Sequence, residues 1–246
     1  MTEIDDIPTP VKEADIADQL QSAVDAKDSE TIAALLEPLP LSDAVRELLN
    51  LSEEDRDTVL SLVPSELAAE LIDEAPHAAA TDLVERMESA KAAEILDELD
   101  SDRQADIIGE LDDEDAEAIL SQMDAEDAAD VRRLAEYDDE TAGGLMVAEA
   151  FKFPEKATVG AVLRGLASDD DDFERYRGQH PYIIDDDGKP IGVVSLRGLL
   201  TAKRSVLLPD IMVVPMTVPV TATLDELQDL FDEYPFLGMP VVEADG

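Results

Sequence analysis

Apolar residues recur every 12 positions through the first half of the chain, and that period restricts the fold more than any other feature. One column reads Val59, Leu71, Leu83, Ile95, Ile107, Ile119, Val131. The next reads Leu60, Ile72, Val84, Leu96, Ile108, Leu120, and fails at Arg132. A third, three residues on, reads Val63, Ala75, Met87, Leu99, Leu111, Met123, and Ala68, Ala80, Ala92, Ala116 and Ala128 sit three before the first. Within each unit the spacing i, i+3, i+4, i+7 is one helical face over two turns. Pro64, Pro76, Glu88, Asp100, Asp112 and Asp124 punctuate the units. Ser65, Ser89, Ser101 or Asp113 follows them, so these positions read as helix stops and N-caps. A helix this short is unstable alone, because nucleation costs more than so few bonds return. Neighbouring units must bury one another's faces, so residues 40–135 are expected to form a stack or superhelix of short helices. Ahead of it, residues 1–13 read as a disordered tail. The spacing from Ala14 to Glu37 fits one or two helices, with a start at Asp28-Ser29-Glu30.

The chain carries 61 acidic against 18 basic residues, a formal charge of −43 over 246 residues. Such a field repels phosphate, which excludes nucleic-acid binding through a basic surface and direct binding to anionic lipid. Cations are the natural ligands. A hydrophobic content of 45%, placed periodically, argues against disorder. Acidic surfaces with few aromatics resemble the proteome style of salt-loving archaea, where much of the charge serves solubility. The absence of cysteine removes disulfides, thiolate sites and cysteine nucleophiles. His77 and His180 are the only histidines, too few for a usual zinc or copper site. No leader of basic-then-apolar type is visible. The most apolar stretch, Val206 to Val220, is broken by Pro209, Asp210, Pro215 and Pro219, so a soluble chain is expected.

After Tyr137 the pattern changes to β-α-β-β-α. A strand is expected at Phe151–Phe153, a helix at Val159–Ala167 and a strand at Tyr182–Asp185. The turn Asp186-Asp187-Gly188-Lys189 leads to a strand at Ile191–Ser195 and a helix at Leu196–Ala202. The order restarts at Asp210-Ile211-Met212, with a strand position at Val218, a helix at Leu224–Tyr234, a strand at Met239–Val242 and a turn at Asp245-Gly246. The copies align: Leu145-Met146 with Ile211-Met212, Thr158-Val159 with Thr223-Leu224, and Pro181–Asp185 with Met239–Glu243. The second stops at its turn, as though its end were missing.

Tandem units of this kind, with Ile191-Gly192-Val193-Val194-Ser195-Leu196-Arg197 leading from strand to helix, resemble a pair of CBS domains. With a helical stack before them and Glu140-Thr141-Ala142-Gly143-Gly144-Leu145-Met146 as the joint, residues 15–246 resemble the cytosolic part of the MgtE family of magnesium channels. The expected fold is therefore α+β and multidomain: a superhelical N domain over 14–136, a linker and first CBS domain over 137–204, and a truncated second CBS domain over 205–246.

The resemblance implies a cytosolic dimer, paired through its CBS domains, that senses Mg²⁺ and holds a pore closed when ions bridge acidic faces of the helical and CBS domains. It places that module at the cytoplasmic face of the membrane, joined to a membrane-embedded transporter domain of the same polypeptide. Mg²⁺ prefers oxygen ligands and keeps several waters, so paired carboxylates suffice. Residue by residue, the family's helical-domain ligands fall on Glu70, Asp102 and Asp106, and its linker carbonyl on Gly144. Its CBS acids fall at or near Asp225 and Asp232. Asp102 and Asp106 are four apart on one helix face, and Asp225 and Asp232 are two turns apart on another. Thr223 and Pro235 stand where family members can carry aspartate. CBS domains also bind adenosyl ligands; here Arg197, Tyr182 and Phe236 are the candidate contacts for phosphate and base. Gly198 replaces the acid that would hold a ribose, and His180 stands near the base pocket where a larger aromatic is usual. No nucleophile elbow, P-loop or triad is present, so no enzymatic activity is expected. The alternative reading is a free-standing helical-repeat and CBS protein that binds a partner or an adenine nucleotide.

Overall fold

A computed structural model describes residues 13–167, 180–234, 236 and 238–243. The expected tail over 1–13 lies almost entirely outside these residues, as do Pro235 and the turn at Asp245-Gly246. The chain divides into two compact units, Met1–Leu99 with Ile107–Ala128, and Asp100–Asp106 with Ala129–Gly246.

The first unit is built from α1 (Glu13–Ala26), α2 (Ser29–Leu36), α3 (Leu41–Asn50), α4 (Glu53–Leu62), α5 (Ser65–Glu74), α6 (His77–Glu85), α7 (Ser89–Leu96) and α9 (Asp113–Leu120). Helices α8 (Ser101–Glu110) and α10 (Ala125–Leu134) run from one unit into the other. Alternate helices pack together: α3 on α5, α5 on α7 and α7 on α9. The even-numbered ones are tied by side chains. Arg86, at the end of α6, reaches Glu53 and Asp57 of α4 at 2.8 and 3.0 Å. His77 of α6 meets Glu110 of α8 at 3.0 Å. The 12-residue sequence period is thus half of a two-helix structural period.

The repeat columns are the core. From Val59 to Val131 no member of the first column exceeds 3% exposure, and Leu60, Ile72, Val84 and Leu96 are fully buried. The joints fall at helix N-caps as expected, but not all of them cap through the side chain. Pro64, Pro76, Glu88 and Asp112 occupy N-cap positions without a side-chain hydrogen bond. At the prolines the ring fixes φ near −54°, and the carbonyl accepts the first helical bond, from Ala68 to Pro64 and from Ala80 to Pro76, each at 3.0 Å. Side-chain caps are made at Asp28, Ser52 and the joint residue Asp124, which accept from the amides of Thr31, Asp55 and Glu126.

The second unit holds a three-stranded sheet ordered β1 (Lys152–Pro154), β2 (Tyr182–Ile184), β3 (Pro190–Val193). Strands β1 and β2 run parallel, β2 and β3 antiparallel. Helices α11 (Val159–Gly165) and α12 (Leu196–Thr201) belong to the same copy. Phe151, Val159, Val162, Ile183, Val194, Leu199 and Leu208 form its core. Strand β1 is one residue later than expected, although the carbonyl of the buried Phe151 already accepts from the amide of Tyr182 at 2.8 Å, and β3 ends two residues earlier, at Val193. The second copy has β4 (Val218–Pro219) parallel to β5 (Val241–Val242), with α13 (Leu224–Glu233) between them. A reciprocal capping box starts α13: Thr223 accepts from the amide of Glu226, whose carboxylate accepts from that of Thr223.

Each copy is completed by the segment that precedes the other. Ahead of the second copy, Val206 and Arg204 accept from the amides of Val159 and Gly160, and Val213 exchanges two bonds with Val193. Met212 fills the space where Gly192 lacks a side chain. Ahead of the first copy, Ala142 and Gly143 donate to the carbonyls of Ala222 and Val220 at 2.8 and 2.9 Å. Ala142 is buried with Val218 and Ala222 in the second copy's core.

Ile95 is fully buried on α7. Ile95→Ala is expected to cost about 2–5 kcal/mol of unfolding free energy in urea, through lost transfer energy plus a cavity. Substitution of the exposed Glu94 on the same helix should change stability by less than about 0.5 kcal/mol.

Candidate metal centre

Asp102 and Asp106 lie on the first two turns of α8, each half-buried. Burial pushes the Asp102 carboxyl above the usual carboxylate range. The amide of Arg103, which donates to it at 2.8 Å, opposes that rise, and the charges of Asp100, Asp106 and Glu149 add to it. Four carboxylates therefore share one electrostatic neighbourhood at the start of this helix. Glu149 is held there by Ser101, whose amide donates to one carboxylate oxygen at 3.2 Å and whose hydroxyl donates to the other at 2.7 Å. That hydroxyl in turn accepts from the amide of Ala148 at 2.7 Å. Ser101 is 4% exposed, so the start of α8 is capped by a carboxylate 48 residues along the chain.

The other candidates are distributed. Glu70 stands on the exposed face of α5. Gly144 is half-buried in a tight turn, where a Cβ would lie 2.5 Å from the carbonyl oxygen of Asp138 and 2.7 Å from Cα of Asp139. Asp225 and Asp232 are exposed on α13. Among the described residues no group of three or more acidic or histidine side chains is placed to hold a metal ion. Asp102 and Asp106 are instead a pair that repel one another in a partly desolvated setting. A divalent cation with most of its water shell relieves that repulsion, and Mg²⁺ commonly binds through one or two carboxylates plus waters.

Of the candidate nucleotide contacts, Tyr182 lies on β2, half-buried, its hydroxyl donating to the carbonyl of Gly238 at 3.2 Å. Burial pushes its phenol upward. Phe236 stacks on Tyr234 at 5.5 Å between centroids. Arg197 is exposed on the first turn of α12, where Ser195 caps the amide of Gly198 at 3.1 Å. His180 is exposed just ahead of β2.

The MgtE intracellular N domain model matches residues 39–140, and the CBS domain model matches 142–205. The chain has the N domain and CBS region of the MgtE family. It is 37% identical over 120 residues to the magnesium transporter MgtE of Thermus thermophilus, covering 48% of this chain and 26% of that protein. It is 28% identical over 117 residues to the magnesium transporter MgtE of Enterococcus faecalis, covering 47% and 25%. The chain thus spans about a quarter of the length of the curated relatives it matches. A crystal structure of the cytosolic domain of the Mg²⁺ channel MgtE in complex with ATP superposes with a TM-score of 0.79 at 29% identity, covering 94% of both chains. The soluble part of a magnesium transporter shares the fold with a TM-score of 0.76 at 23% identity, over 95% of this chain and 92% of that one. The junction between the two matches, residues 140–142, falls within the Glu140–Met146 string.

Sequence reasoning missed Glu149 and its bond to Ser101. No spacing rule joins residues so far apart, and Ser101 after Asp100 looks like any cap of the repeat.

Because the Asp102 carboxyl is raised in the folded chain, the native state binds more protons than the unfolded one between the ordinary aspartate range and the raised value. Stability from this group therefore falls as pH rises through that window. Without divalent cations, Asp102→Asn is expected to remove that fall and to melt above wild type at neutral pH. Added Mg²⁺ should raise the wild-type melting temperature more than that of Asp102→Asn, as read by calorimetry.

Proposed function

We propose that this chain is the Mg²⁺-sensing cytosolic module of a magnesium channel or transporter, with no catalytic role. Its site is at the cytoplasmic face of the cell membrane, and its partner is a membrane-embedded domain of the same polypeptide. Asp102 and Asp106, with Glu70, the Gly144 carbonyl and the CBS acids Asp225 and Asp232, bind hydrated Mg²⁺. Loaded ions hold acidic faces of the helical and CBS domains together and close the pore; loss of ions lets like charges separate them. The observation that carries this reading is the half-buried Asp102, raised by desolvation among three further carboxylates. A site built to be strained when empty responds to ion concentration by changing conformation, as a sensor must. The similarity to the cytosolic domain of a Mg²⁺ channel supports Mg²⁺ among the cations.

The module pairs as a homodimer through its CBS helices. Support comes from apolar side chains that face solvent there: Leu196 and Leu200 on α12, Val213 and Val214 in the following segment, and Leu224 and Phe231 on α13. Leu200 is 77% and Val214 86% exposed, which a second copy would cover. The acidic surface is in addition a salt adaptation, in keeping with a host that lives in concentrated salt.

Small-angle scattering during a Mg²⁺ titration in fixed high KCl tests both points. The wild type is expected to compact saturably at a mass of two chains, while Asp102→Ala/Asp106→Ala stays extended at the same mass. No compaction, or the same compaction in the double variant, would sink the sensor reading.

A second ligand is supported by the ATP in the similar MgtE structure. Here an adenine nucleotide would meet Arg197, Tyr182 and Phe236, without a ribose acid at Gly198. A Cβ on Gly198 would lie 3.3 Å from the Ser195 hydroxyl, a contact relieved by a shift of a few tenths of an ångström that keeps the cap on the Gly198 amide. Gly198→Asp is expected to tighten ATP binding by about tenfold in calorimetric titration, the worth of one charge-assisted hydrogen bond. Unchanged affinity would remove the nucleotide from this site.

A further inference from the structure

Tyr137 stands between the end of α10 and the Gly143-Gly144 turn and makes two unlike contacts. Its ring occupies the place of the side chain that Gly143 lacks: a Cβ there would lie 2.6 Å from Cδ1 and 2.7 Å from Cγ of the ring. Its hydroxyl donates to the carboxylate of Glu243, the residue after β5. The guanidinium of Arg133 on α10, anchored on Asp130 at 2.8 Å, lies close enough to the same hydroxyl to act on it electrostatically. The backbone beneath the ring is held by the bonds from Ala142 to Ala222 and from Gly143 to Val220. One side chain therefore touches α10, the turn and the second CBS copy.

We propose that Tyr137 is a positioning residue for the ion-binding turn, its ring fixing the Gly143-Gly144 backbone and its hydroxyl latching that turn to the second CBS copy through Glu243. The proposal rests on the reading above, in which the Gly144 carbonyl is an Mg²⁺ ligand. Ring and hydroxyl have separate tasks. The ring excludes a side chain at Gly143 and so keeps the chain close enough to pair with Val220 and Ala222. The hydroxyl, flanked by a cation and a carboxylate, resists sliding of the ring along that backbone. The bond to Glu243, with burial second, pushes the phenol above its ordinary value, so the hydroxyl stays a donor throughout the neutral range. Because Glu243 follows β5 directly, a rearrangement of the second copy reaches the turn without passing through the first.

The test is amide hydrogen exchange at Ala142 and Gly143, measured without Mg²⁺, followed by Mg²⁺ titration of the same proteins. Tyr137→Phe keeps the ring and should speed exchange at these two amides by about tenfold, the worth of one hydrogen bond to a charged group, with Val193 and Val213 unchanged. Glu243→Gln retains a neutral acceptor and should fall between wild type and Tyr137→Phe, whereas Glu243→Ala should match Tyr137→Phe. Gly143→Ala should speed exchange in the wild-type background and add little in Tyr137→Ala, where the ring no longer contests the space. Equal effects of Gly143→Ala in both backgrounds, or unchanged exchange in Tyr137→Ala, would overturn the latch. Tyr137→Ala should also weaken Mg²⁺ binding several-fold with the same number of ions bound. Faster exchange with unaltered Mg²⁺ affinity overturns the positioning role. A wild type that binds no Mg²⁺ overturns the sensing reading, while the exchange data decide the latch independently.

Discussion

None of the short helices in the first unit can stand by itself. Helices of eight to ten residues such as α2 to α9 return too few backbone bonds to offset nucleation, so each exists only because its apolar face is covered by helices before and after it. This dependence explains the uniform burial of the 12-residue columns and the tolerance of everything outside them. The solvent faces need only be soluble, and here they are acidic. Much of the acid falls where it helps: Glu53, Glu54 and Asp55 open α4, and Asp113, Glu114 and Asp115 open α9, each at the positive end of a helix dipole.

The acid is not spread evenly along the chain. Residues 152–204 contain nine of the 18 basic residues and nine of the 61 acidic ones, so this stretch is neutral and the remainder carries the whole charge of −43. A coat that served solubility alone has no reason to spare one part of the surface. The spared part is most of the first CBS copy. Neutrality there limits like-charge repulsion across any surface it must share. The half-buried carboxylates around Asp102 lie outside the neutral stretch, where no lysine or arginine excess offsets their repulsion.

What could be read from sequence follows the range of the interaction. The helical repeat was legible because its signal is local and recurs, so Leu71, Leu83 and Ile95 report one another. The β-α-β-β-α order was legible for the same reason, with Gly188 marking its hairpin by a φ of +83°. The exchange of segments between the CBS copies left no trace in the pattern. Ala142 and Gly143 pair through backbone groups with residues some 80 positions away, and backbone bonds have no residue preference to read. Expected side-chain caps at Glu88 and Asp112 were not made, since a carboxylate at a helix start also gains from water and from the dipole without bonding an amide. Asp102 and Asp106 were found by resemblance and spacing. That one of them is partly desolvated depends on Glu149 and on burial, which spacing does not encode.

Exchange of segments between the CBS copies has a thermodynamic consequence for any switch built on this unit. The stretch 141–143 contributes Ala142 to the core of the second copy, so it cannot leave without exposing Val218 and Ala222. The same stretch leads directly into the Gly143-Gly144 turn, and Glu149, which caps α8, follows five residues later. The cap of α8 and the integrity of the second CBS copy are therefore linked through one short piece of backbone. Linkage is reciprocal: under the proposed function, whatever loosens the second copy weakens ion binding by the same free energy with which bound ions would stabilise that copy. Under the proposed function, a change in that stability is the signal that could pass onward, with no ion needing to approach what receives it.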